Sequence, residues 1–501
     1  MKTIKIQTKY LKEAHLFYKD FGFVDNTILY ESAEIVDKSG VQSLIGLSTA
    51  LKVTCDDLKV TVKALNQNGT ALLTMLSQKL NQKACDNTLS ITYTRPDKDL
   101  DEYSRLKADG PMTVVREIQK LLKPCDGIFI GGMISFDFIN NFEYIGDVPK
   151  GTNPCSDYGF YVFDLSVRVN HVKKTTEVCA YIFDEKAYKE TAFNALDIKE
   201  KIDEFDATDN LQLHQVSPKI NPNLSDKEFG DIVLKLKDHI INGDAFQVVP
   251  SRSFSYECND PLLAYSYLKK LNPSPYMYYI KDKDFTLFGA SPEYAVRYEA
   301  DVNRVSISPI AGTRKRGLNP DGSLDKELDS RIELELRTDR KEVAEHLMLV
   351  DLARNDIARI SKPGTRYVDN MLHVDKYQSV MHLVSDVHGT LQDDLDALHA
   401  YCACMNMGTL SGAPKIKAHE LIYKYEGKKR GSYGGVVGIL SNDGSMDTCI
   451  AIRSAFVKNN TAYVQAGCGV VFDSDPQSEC DETVNKAKSV LTALELAKTS
   501  K

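Results

Sequence analysis

Apolar residues recur along this chain with two periods, alternating in some stretches and returning every three to four residues in others, and the two periods predict different elements. In the first half, Phe160-Val167 and Glu177-Phe183 alternate as strands do, between stretches with the periodicity of amphipathic helices. The half closes in Asp203-Glu204-Phe205-Asp206-Ala207-Thr208-Asp209-Asn210, a polar run with few large apolar residues that reads as a linker. Ser225-Asp226-Lys227-Glu228 then has the form of a capping box, in which the Ser hydroxyl and the Glu carboxylate satisfy free amides at a helix start. A boundary near residue 215 divides the chain into an N-terminal domain, 1–215, and a second domain, 216–501.

The second half predicts strands at Phe285-Phe288, Tyr294-Glu299 and Val305-Ile310, then a helix through Asp339-Ile360. Further on, Gly434-Leu440, Thr448-Val457 and Ala462-Phe472 are joined by turns at Asn442-Asp443-Gly444 and Asn459-Asn460, which predicts a meander. A final helix runs from about Pro476 to Ala497. Hairpin-linked strands and separate long helices imply an α+β fold, antiparallel sheets flanked by helices, rather than a βαβ array.

Composition narrows the function. With 43% hydrophobic and 26% charged residues among 501, the balance is that of a globular protein. A formal charge of −8 without a dense basic block argues against a nucleic-acid binder, and Arg314-Lys315-Arg316 reads as a solvated loop. The N-terminus lacks a signal-peptide core and no apolar run reaches membrane-spanning length, so the expected location is the cytoplasm. The 11 cysteines include no C-x-x-C pair, and neither a disulfide framework nor a zinc site is expected.

Candidate chemistry gathers in a few segments. Ser308-Pro309-Ile310-Ala311-Gly312-Thr313 reads as a strand end and Gly-dependent turn that presents amides and a hydroxyl to a ligand. Glu342 and Glu345 share a helix face, as do Glu479 and Glu482. Taken singly, such a pair is usually a solvated acidic face. Here, however, Glu342 and Glu345 line up with Leu349 and Leu352, while Val343, Leu347, Val350 and Ile357 cover another side, so the helix is expected to enter an interior. Carboxylates held there need cations, and oxygen ligands without Cys or His clusters favour magnesium. Lys486, four residues after Glu482, shares its face. Arg453 reads as a strand residue on one face with Ala451 and Ala455, able to aim inward at a carboxylate or outward at solvent. Gly467 and Gly469 allow close backbone approach, and Cys468 between them reads as a buried small residue rather than a nucleophile. His382, alone among apolar neighbours, reads on its own as a core histidine.

Together these segments resemble the chorismate-utilising enzymes, and among them the large subunits of anthranilate synthases. The resemblance is carried by Gly289-Ala290-Ser291-Pro292-Glu293, the 308–313 segment, Glu345-His346-Leu347 through Asp356, Gly408-Thr409-Leu410-Ser411-Gly412-Ala413-Pro414-Lys415, Arg430-Gly431-Ser432-Tyr433-Gly434-Gly435, and Asp481-Glu482-Thr483-Val484-Asn485-Lys486. It implies a two-domain α/β sandwich with the active site in the C-terminal part. It further implies that Glu345 and Glu482 bind Mg²⁺, supported by Glu342 and Glu479. By the same resemblance Gly312, Thr313, Tyr433, Arg453, Gly467, Cys468, Gly469 and Lys486 bind chorismate. His382 and Thr409 would lie near the reacting ring, and Glu293 would protonate the departing C4 oxygen.

Two positions separate sister activities within that resemblance. Gln247 stands where isochorismate and salicylate synthases carry a water-activating Lys, and Ala311 where aminodeoxychorismate synthases carry an attacking Lys. Neither Gln nor Ala does that work, so ammonia is the expected nucleophile and anthranilate the expected product, the first committed step toward tryptophan. The chain shows no amidotransferase region, which implies a separate glutamine amidotransferase subunit, component II. Leu29-Tyr30-Glu31-Ser32 and Asn272-Pro273-Ser274-Pro275-Tyr276-Met277 resemble the segments that enclose inhibitory tryptophan, with Glu31, Ser32, Pro275, Tyr276 and Met277 as contacts. A tryptophan sensor without catalysis and a phosphate-binding NTPase are the rival readings; no G-x-x-x-x-G-K-[ST] is present for the latter.

Overall fold

Two long strands, Gln42–Asp56 and Tyr158–Asn170, pair antiparallel at the centre of the molecule. In the computed structural model, which describes residues 1–32, 42–377 and 380–500, two arms of sheet grow from this pair. Its register slips at Gly46/Ser48, Ser48/Thr49 and Thr49/Leu51, and such bulges bend strands, so the pair turns from one arm into the other.

The first arm continues through Thr27–Glu31, Tyr276–Lys281, Thr286–Ser291, Ser454–Lys458, Thr461–Gly467 and Ser251–Glu257. The second continues through Phe129–Ile134, Val436–Ser441, Met446–Ile450, Tyr294–Glu299, Arg304–Ile307 and Val380–Thr390. Ile310–Lys315 and Tyr367–Lys376 also pair with that last strand. Every one of these pairings is antiparallel. Each arm therefore takes strands from both halves of the chain.

Between the arms, alternate residues such as Ile28, Phe163, Tyr278, Leu287, Val437 and Phe456 form one buried apolar layer. Helices cover the outer faces. Helix Arg340–Ala358 packs on Val380–Thr390 and Ile310–Lys315 of the second arm, burying Val350, Ala353 and Ile357. Helix Pro476–Thr499 packs on Thr461–Gly467, Ser251–Glu257 and helix Pro261–Leu271 of the first arm, burying Val490, Leu491 and Leu494. The result is an α+β sandwich, helix on sheet on sheet on helix.

Several expectations are corrected. The predicted meander is two hairpins, one in each arm, because the backbone leaves strand geometry at Ala451–Arg453 and changes sheet there. The strand expected through Phe472 ends at Gly467. The 308–313 segment is not a turn: after a break at Ser308 and Pro309 the chain resumes as strand Ile310–Lys315, and Gly312 makes a bulge in it. Leu347, expected on a covered side, is 38% exposed. The capping box at Ser225 and Glu228 forms as its sequence implies.

Candidate active site

The chain changes sheet twice at neighbouring points, and the candidate site is built around them. One crossover, Ser291 to Tyr294, leads from the first arm to the second; the other, Ile450 to Ser454, leads back. They are tied together, the Ala290 amide donating to Arg453 O at 3.1 Å and the Ile450 amide to Glu293 O at 3.0 Å. Glu293 and Arg453, far apart in sequence, thus sit on adjoining connections where the sheets part.

Glu293 is only 6% exposed. Burial in apolar surroundings disfavours a carboxylate, and it pushes this group up to about 8, although the Thr409 hydroxyl and the Ile310 amide favour the charged form. Thr409 Oγ1 donates to Glu293 Oε1 at 3.2 Å. At neutral pH the side chain therefore carries a proton, in a place that seldom admits a charge. Arg453 is not the strand residue its neighbours imply: it lies at a bend with φ +50°, a left-handed conformation that costs energy outside glycine. Its Nη1 donates to Lys486 O at 3.2 Å, and burial lowers the guanidinium from its ordinary value.

Gly312 and Thr313 lie across from His382 on the second arm. Thr313 Oγ1 and His382 Nδ1 are 2.9 Å apart, and burial, with the Arg453 charge adding to it, pushes His382 down to about 4, so the ring is neutral. Gly312 has φ +64°, and a Cβ there would stand 2.9 Å from Leu336 Cδ1 and 3.0 Å from Glu342 Oε2. Both conformation and space demand glycine.

The four glutamates occupy the first two turns of two helices that belong to opposite layers. Asp339 and Asp475 cap those helices, accepting from Lys341 and Glu342 N and from Ser478 N. Glu345 is pushed up to about 7, first by burial and then by the nearby charges of Glu342 and Glu482. Glu342 is held by Arg314 Nη1 at 2.9 Å, and Glu482 by Lys486 Nζ at 2.6 Å. The basic trio is thus not a solvated loop, since Arg314 braces the active-site helix and Arg316 pairs with buried Asp329. Burial raises Glu479, whose Oε2 has no hydrogen-bond partner. Among the described residues no group of three or more His, Cys, Asp or Glu side chains forms a ready-made metal cage. Two mutually repelling carboxylates near the starts of two helices fit magnesium nonetheless, because that ion takes one or two carboxylates and fills its other positions with water and substrate oxygens.

The end of strand Thr461–Gly467 completes the floor. A Cβ on Gly467 would meet Pro250 O at 2.6 Å and Tyr433 Oη at 3.1 Å; one on Gly469 would meet Glu345 Oε1 at 3.1 Å and Gln247 Nε2 at 3.3 Å. Lys486 Nζ donates to Gly467 O at 3.1 Å. Cys468 is fully buried, with its thiol pushed well up by burial, so its contribution is space and backbone rather than sulfur chemistry. Arg430, quoted above only as part of a motif, is fully buried and donates to Val249 O and Leu410 O while pairing with Glu426. It fixes the loops that bear Gln247, Thr409 and Tyr433. Nothing in a single sequence separates such an arginine from a surface one.

The five residues expected around tryptophan come together elsewhere, lining one cavity of about 420 Å³ between the two arms. Glu31 there is buried and held by Tyr265 Oη at 2.7 Å and Lys269 Nζ at 3.0 Å. Tyr30 lines it too, and so do Arg297 and Asp447, which no local sequence pattern places there.

The family model for chorismate binding enzymes matches residues 74–492, most of the chain and all of the site just described except part of the cavity wall. The chain belongs to the chorismate binding enzyme family. Anthranilate synthase component 1 of Vibrio cholerae is 49% identical to it, over 93% of this chain and 91% of its own length. That of Escherichia coli K12 is 48% identical over 96% and 94%. The crystal structure of anthranilate synthase component I from Streptococcus pneumoniae superposes with a TM-score of 0.70 at 31% identity, covering 91% of this chain and 93% of that one. The menaquinone-specific isochorismate synthase of Escherichia coli, at 17% identity and TM-score 0.69, shares the fold. No helix among the described residues of this family member is long and apolar enough to cross a membrane.

Proposed function

We propose that this chain is the chorismate-binding subunit of an anthranilate synthase, joining ammonia to chorismate and releasing anthranilate, pyruvate and water. One observation carries the reading: a buried, protonated Glu293 faces a site in which positions 247 and 311 offer no amine. The component 1 relatives, matched over nearly their full length, support it.

Magnesium, held by Glu345 and Glu482, would supply positive charge to a chorismate carboxylate and offset the burial and repulsion that keep Glu345 partly protonated. Arg453 and Lys486, with the backbone beside Gly467 and Gly469, take the remaining negative charge of the dianion. Hydroxide is a poor leaving group, and Glu293 gives its proton to the C4 oxygen as ammonia adds at C2. Thr409 holds the acid in place at 3.2 Å, and neutral His382, oriented by Thr313, lines the ring without adding charge. Elimination of pyruvate then restores aromaticity.

Ammonia is supplied by an amidotransferase subunit, and the cavity lined by Glu31, Ser32, Pro275, Tyr276 and Met277 binds tryptophan as feedback inhibitor. The decisive experiment incubates the purified chain with chorismate, Mg²⁺ and an ammonium salt and follows anthranilate fluorescence. Anthranilate is expected from ammonium and not from glutamine; isochorismate or aminodeoxychorismate as product would overturn the assignment.

A further inference from the structure

Arg297 and Asp447 line the inhibitor cavity as a pair, facing each other in register on adjacent strands, with Nε to Oδ1 at 3.4 Å. Tyr276, on the other arm, completes the group, donating to Asp447 Oδ1 at 2.8 Å and accepting from Arg297 Nη2 at 2.6 Å. The cluster spans the gap between sheets.

A β-bulge then changes what Arg297 can reach. In a regular strand Tyr294 and Arg297 would point to opposite faces, but the register shifts between them, and the guanidinium lies over the Tyr294 ring at 4.9 Å. Tyr294 Oη in turn donates to Asp386 Oδ1 at 3.4 Å, and Ser308 Oγ donates to the same oxygen at 2.6 Å. Ser308 opens the segment that carries Gly312 and Thr313. Beside Asp386, Ser385 Oγ lies 2.7 Å from His346 Nε2, and His346 follows Glu345 in the active-site helix. Glu293, meanwhile, precedes Tyr294.

We propose that Arg297, Tyr294, Asp386 and Ser308 form a polar relay that carries occupancy of the inhibitor cavity to the chorismate-binding segment, with Tyr294 and Asp386 as positioning residues. The proposal rests on the reading of the cavity as a tryptophan site. An amino acid seated there brings an ammonium for Asp447 and a carboxylate for Arg297, and so competes with the pair the two residues make with each other. A ligand shifts an equilibrium only by differential interaction with two arrangements, and this competition supplies it. Arg297 drawn toward a carboxylate leaves the Tyr294 ring, and Tyr294 loosens from the carboxylate that also fixes Ser308.

The relay separates binding from coupling, which gives it a distinct test. Tryptophan affinity is measured by calorimetry with and without saturating chorismate and Mg²⁺, in the parent, Tyr294→Phe and Ser308→Ala; the ratio of the two affinities is the coupling factor. Tyr294→Phe keeps the ring under Arg297 and loses the hydroxyl's interactions with Asp386 and Ser308. We expect it to bind tryptophan alone as the parent does, with kcat unchanged and a coupling factor at least about fivefold closer to unity. Ser308→Ala is expected to lower the coupling in the same direction. A parental coupling factor in both variants, with tryptophan binding intact, overturns the relay and leaves the inhibitor site standing. Absence of tryptophan binding to the parent overturns the inhibitor reading, and the relay with it.

Discussion

The proposed active-site cleft and the proposed inhibitor cavity both lie where the two sheets meet, yet their polar groups are held in opposite ways. In the cleft, Glu479 Oε2 and Gln247 Oε1 are buried without partners, Arg453 is in a strained conformation, and Glu293 keeps a proton where most carboxyls have lost theirs. In the cavity, Tyr30 donates to Gly132 O and Gly438 O, Tyr276 and Arg297 share Asp447, and Glu31 has two donors. Buried polar groups are normally paired, and leaving them unpaired costs free energy. Substrate and metal would offset that cost in the cleft; in the cavity the charged groups Glu31, Arg297 and Asp447 already have partners that a ligand must displace. Catalytic poise and regulatory poise thus differ in whether the charged groups of the empty site are already paired.

The sharpest way to break the contrast is Glu293→Gln, which keeps shape and burial but removes the acidic proton. Turnover is expected to fall about 10²- to 10⁴-fold while chorismate binding persists, measured by steady-state kinetics and calorimetry. In the parent, turnover should decline as pH rises through about 8, where the acid form is lost. Next in size, Ser32→Phe fills the cavity, and tryptophan inhibition is expected to weaken at least about tenfold, a change of 1.4 kcal/mol, with activity in its absence preserved. Unaltered inhibition would remove the cavity from regulation.

A smaller effect concerns stability. Folded Glu293 holds its proton to about 8, against an ordinary value of 4.5, so between these values the folded state binds more protons than the unfolded. Stability then falls as pH rises, by up to about 1.4 kcal/mol per pH unit from this group. Thermal melts of Glu293→Gln should show that slope reduced, with the variant more stable than the parent at pH 8. Smallest is Gly312→Ala, where positive φ and contact with Leu336 and Glu342 are expected to cost about 1–2 kcal/mol in denaturant unfolding.

What was legible in the sequence follows from range. The capping box at Ser225, the two glutamate pairs and strand Tyr294–Glu299 depend on neighbours a few residues away, and their patterns announce them. The sheet changes at Glu293 and Arg453 depend on pairings such as Phe129–Ile134 with Val436–Ser441, which leave no local trace. A bulge is equally silent, so Arg297 and Asp447 could not be connected to Tyr294 and Asp386 before the register was seen. Alternation predicts strand geometry at Arg453, because the pattern continues through the point where the chain leaves the strand.

The two crossovers bonded side by side act as a pin. Glu293 and Arg453 sit on those bonded connections, so their spacing is set by the pin itself. Glu345 and Glu482 are related by a longer path, because their helices pack on opposite sheets. A cation held by those two carboxylates would then be a clasp as well as a charge, tying the two layers together beside acid and cationic groups already in register.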